Sequence, residues 1–319
     1  MVMAQALFKQ LKSREPDRMF DVLAPGWSLP IVGRMPEIRA GIAAETAHGE
    51  IGFATRHRIA ASLRDRYEHA IVMPRSFKSA LIPWMAKIPV RTGYRGESRF
   101  LLINDVRPFD QTVLDQTVKR FVALGLAAGE ALPSELPDPS LRVSAENQAR
   151  VLAELGLSTE RPVIAMMPGA EYGPAMCWPL DYFAALAARL EAAGYSVWVL
   201  GSDKDAAAGD VIARGSAAIN LCGRTSLEDV IVVLAACEQA VSNDSGLMHI
   251  AAAVGIHVHG IYGSSSPKFT PPLTKKRDIH EIELDCRPCF ERECPLGHLR
   301  CLKDLDADQI FDKVVAKSA

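Results

Sequence analysis

From Val163 onward, hydrophobic and polar positions switch between two periods. "VIAMM", residues 163–167, is a short unbroken apolar run and predicts a strand covered on both faces. "PLDYFAALAARLEAAG", 179–194, sets Leu180, Phe183, Ala187 and Leu190 at helical spacing, and Gly194 closes it. The alternation continues. "YSVWVLG" (195–201) reads as a strand and "DKDAAAGDVIARG" (203–215) as a weak helix. "AINLCG" (218–223) is a strand, and "SLEDVIVVLAAC" (226–237) is a helix capped by Ser226. "QAVS" (239–242) is a strand, followed by a helix within "SNDSGLMHIAAAVG" (242–255) and by the strand "IHVHGIYG" (256–263). Strands and helices alternating at this spacing predict an α/β fold: a parallel sheet with helices on both faces.

The first half repeats the pattern less cleanly. "FDVLA" (20–24), "HAIVMP" (69–74) and "VRTGY" (90–94) read as strands, and "RIAASLRDR" (58–66) and "SFKSALIPWMA" (76–86) as helices. The chain opens on an amphipathic helix, "MVMAQALFKQLKSREP", with no strand before it, although a doubly wound domain begins strand, loop, helix. The stretch 131–145 carries Pro133, Pro137 and Pro139 and has no periodicity, so it reads as a linker. The expected organisation is two domains, 1–140 and 141–319, facing across a cleft, with the last helix packing back on the first domain.

Composition narrows the class. The chain has 319 residues with 49% hydrophobic content, enough for two cores. A net charge of -2 gives no reason to expect a nucleic-acid partner. No apolar run of membrane-spanning length and no signal-peptide pattern is present, so the expected location is cytoplasmic, and the seven cysteines are expected as thiols, core residues or metal ligands.

Chemistry concentrates where strands end. At "NDSGLMH", 243–249, a strand gives way to a helix whose free N–H groups and positive dipole end would favour an anion, a diphosphate above all. Gly246 admits close approach, Ser245 can donate to a phosphate oxygen, and Asp244 suits a sugar hydroxyl. His249 lies one turn inside as a further donor. A plainer reading of the same residues is an N-cap at Asp244 or Ser245 and a core histidine. The glycine-bearing loop from Gly169 through Met176 is a second such junction, and "LGSDKD", with Ser202 and Asp203, is a third. None matches the P-loop or the dinucleotide fingerprint. Together they point to a nucleotide sugar or nucleotide diphosphate. Lys78, Arg91, Arg95 and Arg99 could meet anionic groups of a second substrate, or could form an ordinary solvated face. In "CRPCFERECPLGHLRC", 286–301, Cys286 and Cys289 have knuckle spacing, and Cys294 and Cys301 could complete a structural tetrahedral metal site. A loop of reduced thiols with no metal fits as well.

"PGAEYGPA..WP", "NDSGLMHIAAAVG", "YGSSSPKFTPPL" and "SFKSALIPWMAKIPVRTGYRGESRFLLINDVRP" together resemble the ADP-heptose:lipopolysaccharide heptosyltransferase II group of glycosyltransferase family 9. The resemblance runs over nearly the whole chain. It implies a GT-B fold of two Rossmann-like domains, and inverting transfer without a metal or other cofactor. It implies an ADP-heptose donor bound on the second domain and a heptosyl-Kdo2-lipid A acceptor on the first. The implied donor residues are Gly169, Met176, Ser202, Asp203, Thr225, Asn243, Asp244, Ser245, Gly246 and His249; the implied acceptor residues are Lys78, Arg91, Arg95 and Arg99. A lipid-linked acceptor implies contact with the inner face of the inner membrane, with no transmembrane anchor. The sequence departs from the family pattern in four places. The opening strand and its "GPSWVGD"-type loop, which carries the expected catalytic Asp, would lie upstream of Met1, leaving the catalytic residue unidentified. A lysine in "GPAKRWP" is here Met176, an asparagine before "SFKSAL" is Arg75, and an apolar strand holds His257 and His259. The rival readings are a catalytically impaired nucleotide-sugar-binding remnant, a heptosyltransferase I-type enzyme, and a small metal-binding interaction module.

Overall fold

The computed structural model describes residues 1–45 and 52–318. The chain divides into two compact units, the first running to Pro137 and the second from Asp138, with Val2 grouped with the second.

The first unit begins with α1 (Gln5–Arg14), after a 3-10 turn over Val2–Ala4. β1 (Asp21–Ala24), α2 (Leu29–Val32), β2 (Ala40–Ala43), α3 (Phe53–Leu63), β3 (His69–Val72), α4 (Phe77–Met85), β4 (Val90–Tyr94), β5 (Asp105–Arg107) and α5 (Thr117–Ala123) follow. All its strand pairs are parallel: β1 with β2, and β3–β4–β5 in a second sheet. Among the described residues no ladder joins these two sheets.

The second unit contains α6 (Ala145–Leu155), β6 (Val163–Met167), α7 (Leu180–Ala192), β7 (Ser196–Val199), α8 (Ala206–Ala213), β8 (Ile219–Asn220), α9 (Leu227–Leu234), β9 (Gln239–Asn243), α10 (Gly246–Ala253), β10 (His257–Ile261), β11 (Arg277–His280), α11 (Arg300–Lys303) and α12 (Ala307–Ser318). Its six-stranded sheet runs β11-β10-β9-β6-β7-β8, all parallel. That is the doubly wound Rossmann order, with the switch between β6 and β9. Both central strands are buried at every position, β6 as an unbroken apolar run and β9 with Gln239, Ser242 and Asn243 among its buried residues.

Local chemistry sets the helix ends. The Ser144 hydroxyl accepts the Asn147 N–H at the start of α6, and Gly156 ends it in the left-handed region at φ 67°. Ser226 and Asp229 form a reciprocal capping box on α9. On α7, Phe183, Leu186, Ala187 and Leu190 are fully buried and share one core with Ile310 and Val314 of α12. Arg189 of α7 pairs with Asp308 and lies over the Phe311 ring at 4.1 Å. The last helix therefore shares a core with α7 in its own unit. Its apolar stripe completes the α7 core. No helix among the described residues is long and apolar enough to cross a membrane.

Candidate functional site

β6 and β9 are neighbours although two strands intervene in sequence, so their connections diverge and leave room at the carboxyl ends. Asn243, the last residue of β9, is fully buried there. Its Oδ1 accepts the Trp178 N–H at 3.0 Å, and its Nδ2 donates to Pro168 O at 2.6 Å. One amide thus ties the loop after β6 to the end of β9. The Asn243 side chain is thus engaged with the protein and positions the junction.

α10 begins immediately beyond. Ser245 sits in the cap position with extended backbone, yet its side chain caps nothing; its Oγ lies 3.4 Å from Ser242 Oγ. A Cβ placed on Gly246 would meet nothing within 4 Å. The first N–H groups of α10 thus open onto free space with the positive end of the helix dipole behind them. Asp244 does not cap the helix either. Its Oδ2 accepts the Thr270 hydroxyl at 3.1 Å. Burial pushes the Asp244 carboxyl above its ordinary range. Tyr262, buried, donates to Thr270 O at 2.7 Å and so fixes the loop that supports Asp244. One turn inside α10, burial lowers His249 to about 4, leaving a neutral imidazole at physiological pH. His249 Nδ1 is enclosed, with no hydrogen-bond partner among the described residues.

The loop after β6 is knitted from other loops. Ala175 N donates to Arg292 O at 3.0 Å, Ser264 N to Ala175 O at 2.9 Å, and Phe290 N to Ser264 O at 2.9 Å. Tyr172 donates its hydroxyl to Phe290 O at 2.6 Å. A Cβ on Gly263 would stand 2.3 Å from Ala175 O, so only glycine permits this contact. Gly169 has a different neighbour from the one expected. The space a Cβ would take there is filled by the Asp205 carboxylate, 2.6 Å away. Asp205 in turn accepts from Ser202 N and Ser202 Oγ, both at 2.8 Å. Ser202 thus organises the start of α8, with exposed Asp203 beside it, and Gly169 accommodates that turn. Met176 is buried, an apolar wall where the resemblance places a cation. Thr225 Oγ1 is enclosed without a hydrogen-bond partner among the described residues.

The sequence singles out the helix start but does not mark Thr270 or Asp205. Thr270 is visible only as part of "YGSSSPKFTPPL", where nothing local marks which hydroxyl turns toward Asp244.

The cysteine-rich segment has another organiser. Arg287 donates from Nε to Gly263 O at 2.6 Å, from Nη1 to Ile282 O at 2.8 Å, and from Nη2 to Ser265 O at 3.2 Å. Backbone N–H groups of residues 296–299 draw the Cys294 thiol below its ordinary value, while burial raises Cys301. Among the described residues, one group of three or more His, Cys, Asp or Glu has its ligand atoms within 4.8 Å of one another, and it is His257, His259 and Asp278. Cys286, Cys289, Cys294 and Cys301 are not gathered into a tetrahedral site; the Arg287 guanidinium, bonded to three carbonyls, holds this loop instead.

In the first unit the four expected cations separate into two kinds. Arg99 is buried, donating to Pro74 O at 2.6 Å and Tyr94 O at 2.7 Å. Arg91 donates to Leu102 O at 2.7 Å and Ile88 O at 2.5 Å. Both brace the β4 region through backbone carbonyls. Arg95 lies over the exposed Phe100 ring at 5.0 Å, and Lys78 is half-buried on α4. Exposed Arg75 shares the Phe109 ring with Arg120, at 4.5 and 5.2 Å.

Comparison with known proteins agrees with this architecture. The profile of glycosyltransferase family 9 (heptosyltransferase) matches residues 56–300. Lipopolysaccharide heptosyltransferase 2 of Salmonella typhimurium is 40% identical over 98% of this chain and 94% of its own length. The structure of Escherichia coli ADP-heptose LPS heptosyltransferase II superposes with a TM-score of 0.89 at 39% identity, covering 99% of this chain and 94% of that one. The fold also matches E. coli heptosyltransferase WaaC with ADP-2-deoxy-2-fluoro heptose, at a TM-score of 0.71, 18% identity, and coverage of 100% and 96%. On its sequence, its parallel-sheet units and these full-length matches, the chain belongs to glycosyltransferase family 9, the heptosyltransferases.

Proposed function

We propose that this glycosyltransferase moves L-glycero-D-manno-heptose from ADP-heptose to the heptosyl-Kdo2-lipid A inner core of lipopolysaccharide, with inversion. Similarity to heptosyltransferase 2 proteins over nearly their whole length supports the substrate pair. The observation that carries the donor site is the start of α10: an uncapped helix N-terminus, Gly246 facing open space, and Ser245 free of capping duty.

The departing group is a diphosphate, so negative charge grows on its oxygens as the glycosidic bond breaks. Helix N–H groups and the dipole end of α10 are fixed in place before reaction and stabilise that charge without reorganisation. Ser245 and Thr225 supply hydroxyl donors, and neutral His249 can supply an N–H. Asp244, held by Thr270, suits a sugar hydroxyl. Gly169, Ser202, Asp203, Asn243 and Met176 shape and position this site. Inversion by one displacement needs a base on the acceptor hydroxyl. On the first unit, Lys78 and Arg95 remain candidates for the acceptor's carboxylates and phosphates. A lipid-linked acceptor brings the enzyme to the membrane surface as a peripheral visitor.

Calorimetry with ADP on the wild type and on Ser245→Ala combined with His249→Ala tests the donor site. Weaker binding in the double variant is expected. Equal affinity in both proteins removes these residues from the site.

A further inference from the structure

One face of the sheet edge carries a polar row that donor chemistry does not use. His257 and His259 alternate along β10 and so share a face. Register places Gln239 beside His257 and Asp278 beside His259, while Ile261 pairs with His280 two residues on. The row begins at the start of β10, at the opposite end of the strands from Asp244 and Gly246.

The hydrogen bonds define the ring tautomers. Gln239 Nε2 donates to Val314 O at 3.0 Å, which turns Gln239 Oε1 toward His259 Nε2 at 2.8 Å. Oε1 only accepts, so His259 carries its proton on Nε2 and leaves a lone pair on Nδ1. His280 Nε2 lies 3.1 Å from that Nδ1. His257 Nε2 lies 2.7 Å from Asp278 Oδ2. Burial lowers His259 to about 3 and His280 to about 4, so both rings are neutral and keep a lone pair at neutral pH.

We propose that His257, His259 and Asp278 form a structural binding site for a divalent transition-metal cation of the zinc type. Their ligand atoms already lie within 4.8 Å of one another. Ligands at about 2.0–2.2 Å from a tetrahedral ion stand about 3.4 Å apart, so small side-chain movements close the set. Two imidazoles and a carboxylate are a zinc-type donor set. The His259 N–H held by an amide carbonyl is the outer-shell arrangement that orients a ligating histidine. His280 Nε2 or a water completes the coordination. His259 is fully buried, while the side chains of His257 and Asp278 keep 16% and 27% exposure, which gives an ion a way in. Lys317 sits 3.8 Å from Asp278 and would be displaced outward, its side chain being 45% exposed. A bound ion would bridge β10 and β11 and, through Gln239 and Val314, brace α12.

The test uses full-length protein stripped with a chelator, then titrated with Co2+ and Zn2+. Binding of one Co2+ with a tetrahedral visible spectrum free of thiolate charge-transfer bands is expected, with Zn2+ displacing it and raising Tm. Asp278→Asn and His257→Asn should each weaken binding at least tenfold, while Cys286→Ser with Cys289→Ser should leave it unchanged. No Co2+ uptake by the wild type overturns the proposal whatever the variants do. A thiolate spectrum abolished by the cysteine substitutions overturns it equally.

Discussion

Two strand-to-helix junctions sit side by side in the second unit, and their glycines serve opposite ends. After β6, the space beside Gly169 is taken by Asp205, and the space beside Gly173 by the backbone of Arg292. After β9, the space beside Gly246 is open. Both junctions look alike as sequence, a strand followed by glycine and a helix. The first uses glycine to let the protein pack against itself; the second uses it to leave room for something else. Absence of a side chain marks close approach, and only the surroundings say by what.

The sharpest test of this contrast removes the amide that joins the two junctions. Asn243→Ala leaves the Trp178 N–H and the Pro168 carbonyl buried without partners, and should cost about 3 kcal/mol. Urea denaturation measures it; a loss below about 1 kcal/mol would mean the loops hold each other without Asn243.

Next come the glycines themselves. Gly263→Ala forces a carbon against Ala175 O and should destabilise by about 1–3 kcal/mol. Gly246→Ala, in open space at a helix start, should leave stability nearly unchanged and weaken ADP binding. Matching stability losses in both variants would break the comparison.

Ser245→Ala isolates ligand contact from folding. The hydroxyl caps nothing, so Tm should hold, while loss of a charge-assisted hydrogen bond of about 1.5–3 kcal/mol should raise the ADP Kd roughly tenfold or more. A fall in Tm with unchanged Kd would return Ser245 to a structural role.

The smallest effect is a pH dependence. Burial raises the folded-state pKa of Asp244 above its ordinary 3.8. A raised pKa favours the protonated form in the folded state. Its contribution to stability is therefore full below 3.8 and is lost as pH rises through the folded value. Asp244→Asn should match or exceed the wild-type Tm at neutral pH, and that gain should shrink as pH falls toward 3.8. Binding of ADP-heptose should weaken in the same variant. Equal destabilisation at every pH would show that the carboxylate is needed for folding.

Much of the second unit was legible because periodicity reports burial directly. The run "VIAMM" became β6 residue for residue, and the helix expected over 179–194 became Leu180–Ala192. "VRTGY" became β4. β2 (Ala40–Ala43), β5 (Asp105–Arg107) and β11 (Arg277–His280) gave no comparable signal. β5 and β11 are short, partly polar edge strands, and β2 is half of a two-stranded sheet, so neighbours rather than local pattern define all three. The core that α12 shares with α7 was hidden for a similar reason. A stripe such as Ile310 and Val314 states that a face will be buried but not against which partner.

The sequence by itself determined the alternating α/β class, the glycine- and hydroxyl-bearing helix start at 243–249, and the family. Each rests on local order or on long matched motifs, which survive in one dimension. Tertiary structure alone decided that Arg91 and Arg99 donate to carbonyls, that Asn243 fastens two loops, that Thr270 meets Asp244, and that histidines two residues apart on β10 meet Asp278 on β11. Those partners are brought together by sheet register and loop closure. A charged or polar side chain takes its role from the groups within about 3 Å of it, and chain order does not encode that distance.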